Sequence, residues 1–338
     1  VTSLGARSIV SDTPTEDGLR PVNLRTDLRP LADLIELVFA EAMDEGGRAA
    51  IREMRYLSHM GYGLNLISRL NDLALGISLG YVYIADGKLV GNVSIYPAGY
   101  PKGMGSAWII ANVGVHPDYQ RRGIAYQLME ASLNMVRERR GKQAILQVNY
   151  DNIGAQRLYE RLGFMYERAW RTWRRSSFAK PPMASANHYH ITRLRPSEWQ
   201  TEYELAQHIR PNNRGGLGWL MPLHKSYFYT PWWKRFVDFF SMNSTEKLII
   251  RDKQTEELLA SMWLESTMSS ASLRTRLLIN PNGNHAPIAD ALLNNVLRRF
   301  SRSTILFEHP REDDAVTDLL EHYQFKVKRD LWHMRLDL

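Results

Sequence analysis

The chain has 338 residues, 44% of them hydrophobic and 23% charged, which is room for about two packed domains and excludes a mostly disordered protein. It contains no cysteine, which excludes a disulfide scaffold, a thiolate metal site and a cysteine nucleophile, and fits a reducing, cytoplasmic setting. Lysine and arginine outnumber the acids 43 to 36, a net charge of +7, so an anionic partner such as nucleic acid, anionic lipid or a phosphate-bearing cofactor is favoured.

Residues 1–20 are polar and lack an apolar signal-peptide core, so they read as a flexible tail. No stretch approaches the ~18 uncharged apolar residues of a membrane span. Val22–Arg25 reads as a first strand. Asp27 is placed to N-cap a helix that tolerates Pro30 in its first turn. Leu31, Leu34, Ile35, Val38, Phe39 and Ala42 then recur at helical spacing. A second helix is expected over Arg48–His59. Tyr81–Ala85 and Lys88–Tyr96 flank Asp86-Gly87, a dipeptide suited to the positive φ angles of a tight hairpin turn.

Strand Ala107–Val115, helix Ile124–Arg139, strand Ala144–Val148, helix Ile153–Leu162 and strand Phe164–Arg174 complete the first half. This order of elements predicts an α/β (α+β) architecture, a mixed central sheet flanked by helices. Residues 176–187, with Pro181-Pro182 and small side chains, read as a linker. The pattern then restarts. Strand Tyr189–Leu194, a helix from Pro196 and an aromatic loop over Pro211–Trp233 are followed by strands near Lys247–Arg251, Leu258–Glu265 and Leu273–Ile279. Helix Ile288–Phe300, strand Thr304–Phe307, helix Asp313–His322 and strand Phe325–Leu336 end the chain. Pro117 to Phe164 and Pro281 to Phe325 span loop, helix, strand, helix in both halves, a weak internal repeat. The expected organisation is a tail (1–20), an active domain (21–175), a linker (176–187) and a second domain (188–338).

Chemistry concentrates in Val113-Gly-Val-His-Pro-Asp-Tyr-Gln-Arg-Arg-Gly-Ile-Ala125. Pro117 breaks the strand that ends at Val115, and Gln120 to Ala125 open a helix. Backbone N–H groups converge there, the helix dipole adds positive charge, and Arg121 and Arg122 stand on the rim. Gly123 allows close approach to the backbone. The arrangement is a cradle for a pyrophosphate. A second segment follows, with Asn152, Ala155, Leu158, Tyr159, Gly163 and Phe164.

Together the two segments resemble the signatures of the GNAT-type acyl-CoA-dependent N-acyltransferases: V-x-P-x-x-[QR]-x-x-G-x-[GA], filled by Val115, Pro117, Gln120, Gly123 and Ala125, and N-x-x-A-x-x-L-Y-x-x-x-G-F, filled by the six residues just named. The resemblance implies acetyl-CoA or another acyl-CoA as co-substrate and a small-molecule or peptide primary amine as acceptor. It implies that amides from Arg121 through Ile124 to Ala125 hold the CoA pyrophosphate and that Val113 and Val115 lie on the strand that pairs with pantetheine. It further implies that the Val113 amide polarises the thioester carbonyl, that Asn152 faces CoA, and that Tyr159 protonates the leaving thiolate. A phenol suits that task because its ordinary pKa, about 10, is close to a thiol's, about 8.5. Without cysteine, direct attack of the amine in a ternary complex is the natural route.

The general base is missing. Relatives carry a Glu on the fourth strand, where this chain has Ala111 and Asn112. Glu41, Asp44 and Glu45 are the alternatives, with a water relay beside them. His116 reads as a structural loop residue. The ten histidines show no metal-ligand spacing, so no metal is expected. Trp170 to Arg175 interleaves aromatic and basic residues, as single-strand nucleic-acid binders do, but a last strand with one buried face does the same. Trp219, Tyr227, Phe228, Tyr229, Trp232 and Trp233 serve packing or wall an acceptor pocket. Aligning Pro281 with Pro117 puts Asn284, His285, Ala286 and Pro287 where the first half has Gln120 to Gly123, and Leu320 where it has Tyr159. The second half therefore resembles a degenerate copy, with Arg274 and Arg276 as its nearest cations. Two other readings stay open: an acyl-CoA-binding sensor or scaffold without turnover, and a tandem relative of the aminoacyl-transferring peptidoglycan enzymes.

Overall fold

The structure is a computed structural model. It describes residues 17–41, 43, 45–59, 79–185, 189–229, 244–266, 272–280 and 285–338. Most of the expected tail, Ala42, Asp44, Asn187, Trp232, Trp233, Pro281 and Asn284 lie outside those residues.

The chain divides into two compact units. The first holds residues 1–98, 106–144 and 338; the second holds 99–105 and 145–337. The division therefore falls inside a strand of the first sequence half and not at 176–187.

In the first unit the strands are β1 (Gly18–Pro21), β2 (Tyr81–Ala85), β3 (Lys88–Pro97) and β4 (Ala107–Val115), each antiparallel to the next. The first strand lies four residues before the expected Val22–Arg25, so Gly18–Arg20 are sheet and not tail. Asp86 and Gly87 both take positive φ, 51° and 68°, as the hairpin turn requires. Helices α1 (Leu28–Phe39) and α2 (Glu45–Ser58) bury Leu28, Leu31, Ile35, Ile51 and Met54 against Val82 and Ile84 of β2. Helix α3 (Ile124–Glu138) packs against the other face. Ile124 and Leu128 crowd Gly91 so closely that a Cβ there would sit 2.9 and 3.1 Å from them.

Asp27 begins α1, but its carboxylate caps no helix amide. It takes a bidentate contact from Arg20, at 2.6 and 2.8 Å, and the N–H of Asn23 at 2.7 Å. The residue expected to be a cap instead ties β1 to α1.

The second unit contains β5 from Ile145 (whole strand Gln143–Asn149), α4 (Ile153–Arg161), β6 (Met165–Arg175), β7 (Ile191–Arg193) and α5 (Trp199–Ile209). It continues with β8 (Ser244–Arg251), β9 (Leu258–Ser266), β10 (Ser272–Ile279), α6 (His285–Arg299), β11 (Thr304–Pro310), α7 (Asp314–His322) and β12 (Lys326–Asp337). Its sheet runs β5-β12-β6-β11-β10-β9-β8-β7. The last strand of the chain, β12, thus lies between β5 and β6, and β6 lies between β12 and β11. The two sequence halves exchange strands, which is why the units are not the halves. One face carries α6 and α7 over Leu248, Ile250, Leu277 and Phe307. Side chains alternate along a strand, so Ile249, Trp263 and Leu278 meet α5 and Leu217, Leu223 and Phe228 on the opposite face.

Candidate active site

Strand β4 is irregular where the candidate oxyanion donor sits. Asn92 faces Gly114, but Ser94 faces Ala111, so Asn112 and Val113 together oppose Val93. This is a β-bulge, which disrupts the ladder locally and re-aims a peptide group. Asn112 adopts a φ of 52°, which Asn tolerates better than most residues. Its carbonyl accepts Asn92 Nδ2 at 2.7 Å, and its Nδ2 donates to Ser94 Oγ at 3.3 Å. Tyr96 joins them: burial pushes its phenol up, against the hydrogen bonds it makes with Ser94 and Asn112. Val113 is half-buried and Val115 buried. Sequence reasoning missed Asn92, Ser94 and Tyr96. Their signal was available, because polar residues at every second position of a strand mark one polar face.

After Val115, His116 donates its N–H to Val90 O at 2.7 Å, and its Nδ1 accepts from Asp118 N–H at 3.3 Å, capping a single 3-10 turn over Pro117–Tyr119. That is the structural role expected of it. Gln120 folds back, Nε2 donating to Val115 O at 3.2 Å. Arg121 and Gly123 both take left-handed conformations, with φ of 62° and 77°. Alternation of this kind turns successive N–H groups into one concavity, a nest for anions. Gly123 is the N-cap of α3 and offers no side chain to the amides that follow. A Cβ at Gly123 would meet nothing within 4 Å, so the chain leaves the space in front of the turn open. Gln120, Arg121, Arg122 and Gly123 are exposed, Ala125 is half-buried, and Ile124 anchors the turn in the core at 3% exposure. The Arg122 guanidinium lies 4.7 Å from the Tyr119 ring and donates to Asp118 O at 3.0 Å. These residues fit a pyrophosphate: open space, uncapped amides and two cations. A cleft of about 900 Å³ elsewhere in this unit runs along α1 and reaches the turn only at His116.

Asn152 and Tyr159 belong to the second unit. Asn152 N-caps α4, its Oδ1 accepting the Ala155 N–H at 3.1 Å, so only its Nδ2 remains a free donor. Behind it Gln156 is buried and donates to Asn149 O and Tyr150 O at 3.0 and 2.8 Å, pinning the end of β5 to α4. Tyr159 is 6% exposed, edge-on to Phe164. Burial pushes its phenol up to about 12.

Other expectations resolve simply. Glu41 is exposed just past α1, and Glu45 opens α2, its side chain outside the described residues. Trp170, Trp173 and Arg175 are buried in β6, and Arg171 pairs with Asp330 at 2.9 Å, so this run is sheet packing and not a stacking platform. Phe228 packs edge-on to Trp263 and Trp219 meets His333, while Tyr229 stays half exposed. In the second half α6 begins at His285, with Pro287 already helical, so no left-handed glycine stands at the equivalent of Gly123. Leu320 is buried where the first half has Tyr159. Among the described residues no helix is long and apolar enough to cross a membrane, and no group of three His, Asp or Glu could hold a metal.

The uncapped anion nest heads a helix that follows a bulged strand. Residues 56–164 match the Acetyltransferase (GNAT) family. N-alpha-acetyltransferase 30 of Schizosaccharomyces pombe is 38% identical over 63 residues, which is 18% of this chain and 42% of that protein, so the match spans less than half of the relative. A GCN5-related N-acetyltransferase from Sphaerobacter thermophilus shares the fold across 94% of this chain and 95% of its own, at 15% identity and a TM-score of 0.56. The GCN5-related glucosamine N-acetyltransferase region of a fungal multi-domain GH3 β-N-acetylglucosaminidase aligns over 96% of this chain and 38% of that chain, at 14% identity and a TM-score of 0.55.

Proposed function

We propose that the chain is an acyl-CoA-dependent N-acyltransferase that moves an acetyl, or another acyl group, to a primary amine by direct attack. The observation that carries this reading is the open nest at the head of α3, with Arg121 and Gly123 left-handed and no side chain capping the helix. Acyl-CoA supplies the thioester. The amides of Arg121 to Ala125 hold its pyrophosphate, with Arg121 and Arg122 adding charge. The Val113 N–H, at the bulge of β4, donates to the thioester oxygen as negative charge develops. Val115 precedes the turn on the same strand, and Asn152 offers its free Nδ2 to CoA. Tyr159 donates a hydrogen bond to the departing sulfur. Ala111 and Asn112 offer no carboxylate, so the amine loses its proton to Glu41, to Asp44, to Glu45 or to water. The catalytic half spans 18–175, with β6 paired to β11 and β12 of the other half, and residues 188–338 are a second, degenerate copy.

The name of the S. pombe relative favours an α-amine among acceptors. Following free thiol release from acetyl-CoA over a panel of small amines, amino acids and peptides with free N-termini tests the reading. Release with at least one amine is expected. Tight CoA binding with no release for any amine would favour the second reading, a CoA-binding sensor, which the missing carboxylate on β4 motivates.

A further inference from the structure

In the second unit β10 and β11 run parallel but pair only over Ser272–Thr275 and Thr304–Phe307. Further along, β10 continues to Ile279 beside β9, and β11 continues to Pro310 beside β6. An unpaired gap is left between Arg276–Ile279 and Glu308–Pro310. Arg210, the C-cap of α5, fills part of it, with Nη2 donating to the Leu277 carbonyl at 3.3 Å.

Arg210 is only 8% exposed, and among the described residues no carboxylate pairs with it. Its charged neighbours do not compensate. Arg276, 9% exposed, has Glu265 at 3.6 Å and Glu308 at 3.9 Å, both beyond hydrogen-bond distance. Arg168, 4% exposed, shares Glu312 with Arg214. Asp313 is committed to His309 Nε2 at 2.8 Å and to the Val316 N–H at 3.2 Å. Arg210 Nε, Arg276 Nε and Nη1, and Arg168 Nη1 have no hydrogen-bond acceptor, whereas Arg168 Nε lies 2.9 Å from Glu312 Oε1. Burial first, then the neighbouring charge of Arg168, push the Arg210 guanidinium down to about 9; Glu312 and Asp313 oppose the shift, and Arg276 adds a smaller push in the same direction. Buried guanidinium groups without acceptors are costly, and a charge-assisted partner removes the cost.

We propose that this cluster binds a small oxyanion, a carboxylate or phosphate group, on Arg210, with Arg276 and Arg168 as the surrounding charge. The site stands on the second unit alone, so its failure leaves acyl transfer at α3 untouched, and the reverse holds too.

The test is calorimetric titration of the full chain with sodium phosphate and, separately, with sodium acetate, at an ionic strength held constant with sodium chloride. Saturable binding of at least one anion is expected, at about 1 mM or tighter, weakened about tenfold or more in Arg210→Gln. No binding of either anion to the wild-type chain overturns the proposal. So does binding that survives Arg210→Gln but falls in Arg122→Glu, which would place the anion at the head of α3. If Arg210→Gln does not fold, Arg276→Gln replaces it under the same criteria.

Discussion

Tyr159 is where the chemistry of a single residue can be reasoned furthest. A phenol pushed up to about 12 holds its proton firmly. Handing that proton to a thiolate of pKa about 8.5 runs uphill by roughly 5 kcal/mol. Hydrogen-bond donation to the sulfur is therefore the more economical role, and a bond to a charged group contributes about 1.5–3 kcal/mol. Tyr159→Phe is expected to lower kcat by about ten- to a hundredfold with CoA affinity nearly unchanged. A kcat within twofold of the wild type would make Tyr159 a packing residue. His333 gives a second prediction at this scale. It is 3% exposed, touches Gln147 at 2.7 Å and stacks on Trp170, and burial holds it at about 3. A histidine lowered from about 6.5 stabilises the fold fully above that pH, and the stabilisation is lost as pH falls toward 3. Urea unfolding at pH 7 and pH 5 should differ by about 2 kcal/mol from this group, and His333→Gln should shrink the difference. An unchanged difference would mean that His333 charges freely in the folded chain.

Among the elements, the join between β1 and α1 rests on one carboxylate. Asp27 is 3% exposed and bound by Arg20 and by backbone, so Asp27→Ala leaves a cation without its partner. The expected loss is about 3 kcal/mol, read as a fall in the denaturant midpoint. A loss below about 0.5 kcal/mol would mean that the pair is solvent-screened. Elements were readable from sequence wherever the cause was local. Asp86-Gly87 announced its hairpin, Pro117 and Gly123 announced the turn, and the period of α1 named Leu31, Leu34 and Ile35 as buried. Where the cause was distant the reading slipped. β1 was placed four residues late because Gly18–Pro21 has little strand character of its own and is fixed by pairing with β2. The bulge at Asn112 has no local marker, since its cause is the offset between two strands.

For the whole chain, the exchange of β6 and β12 between the halves was the feature least visible in sequence, because neither strand encodes its neighbour. It has a consequence for dissection. Residues 188–338 alone would leave β11 without β6, and β12 without β6 or β5. This fragment is expected to show no cooperative unfolding transition, whereas a cooperative, soluble fragment would show that the exchanged strands are dispensable. The number of donor sites must therefore be counted on the intact chain. The first half keeps Arg121, Arg122 and Gly123 at its helix head, while the second puts Pro287 inside its helix and Leu320 in place of a tyrosine. Calorimetric titration of the full chain with CoA, in the wild type and in Arg122→Glu, tests this most directly. One CoA per chain is expected, bound more weakly in the variant and with the larger loss at low salt, where charge is least screened. Two CoA per chain, or an affinity indifferent to Arg122→Glu at every salt concentration, would contradict it.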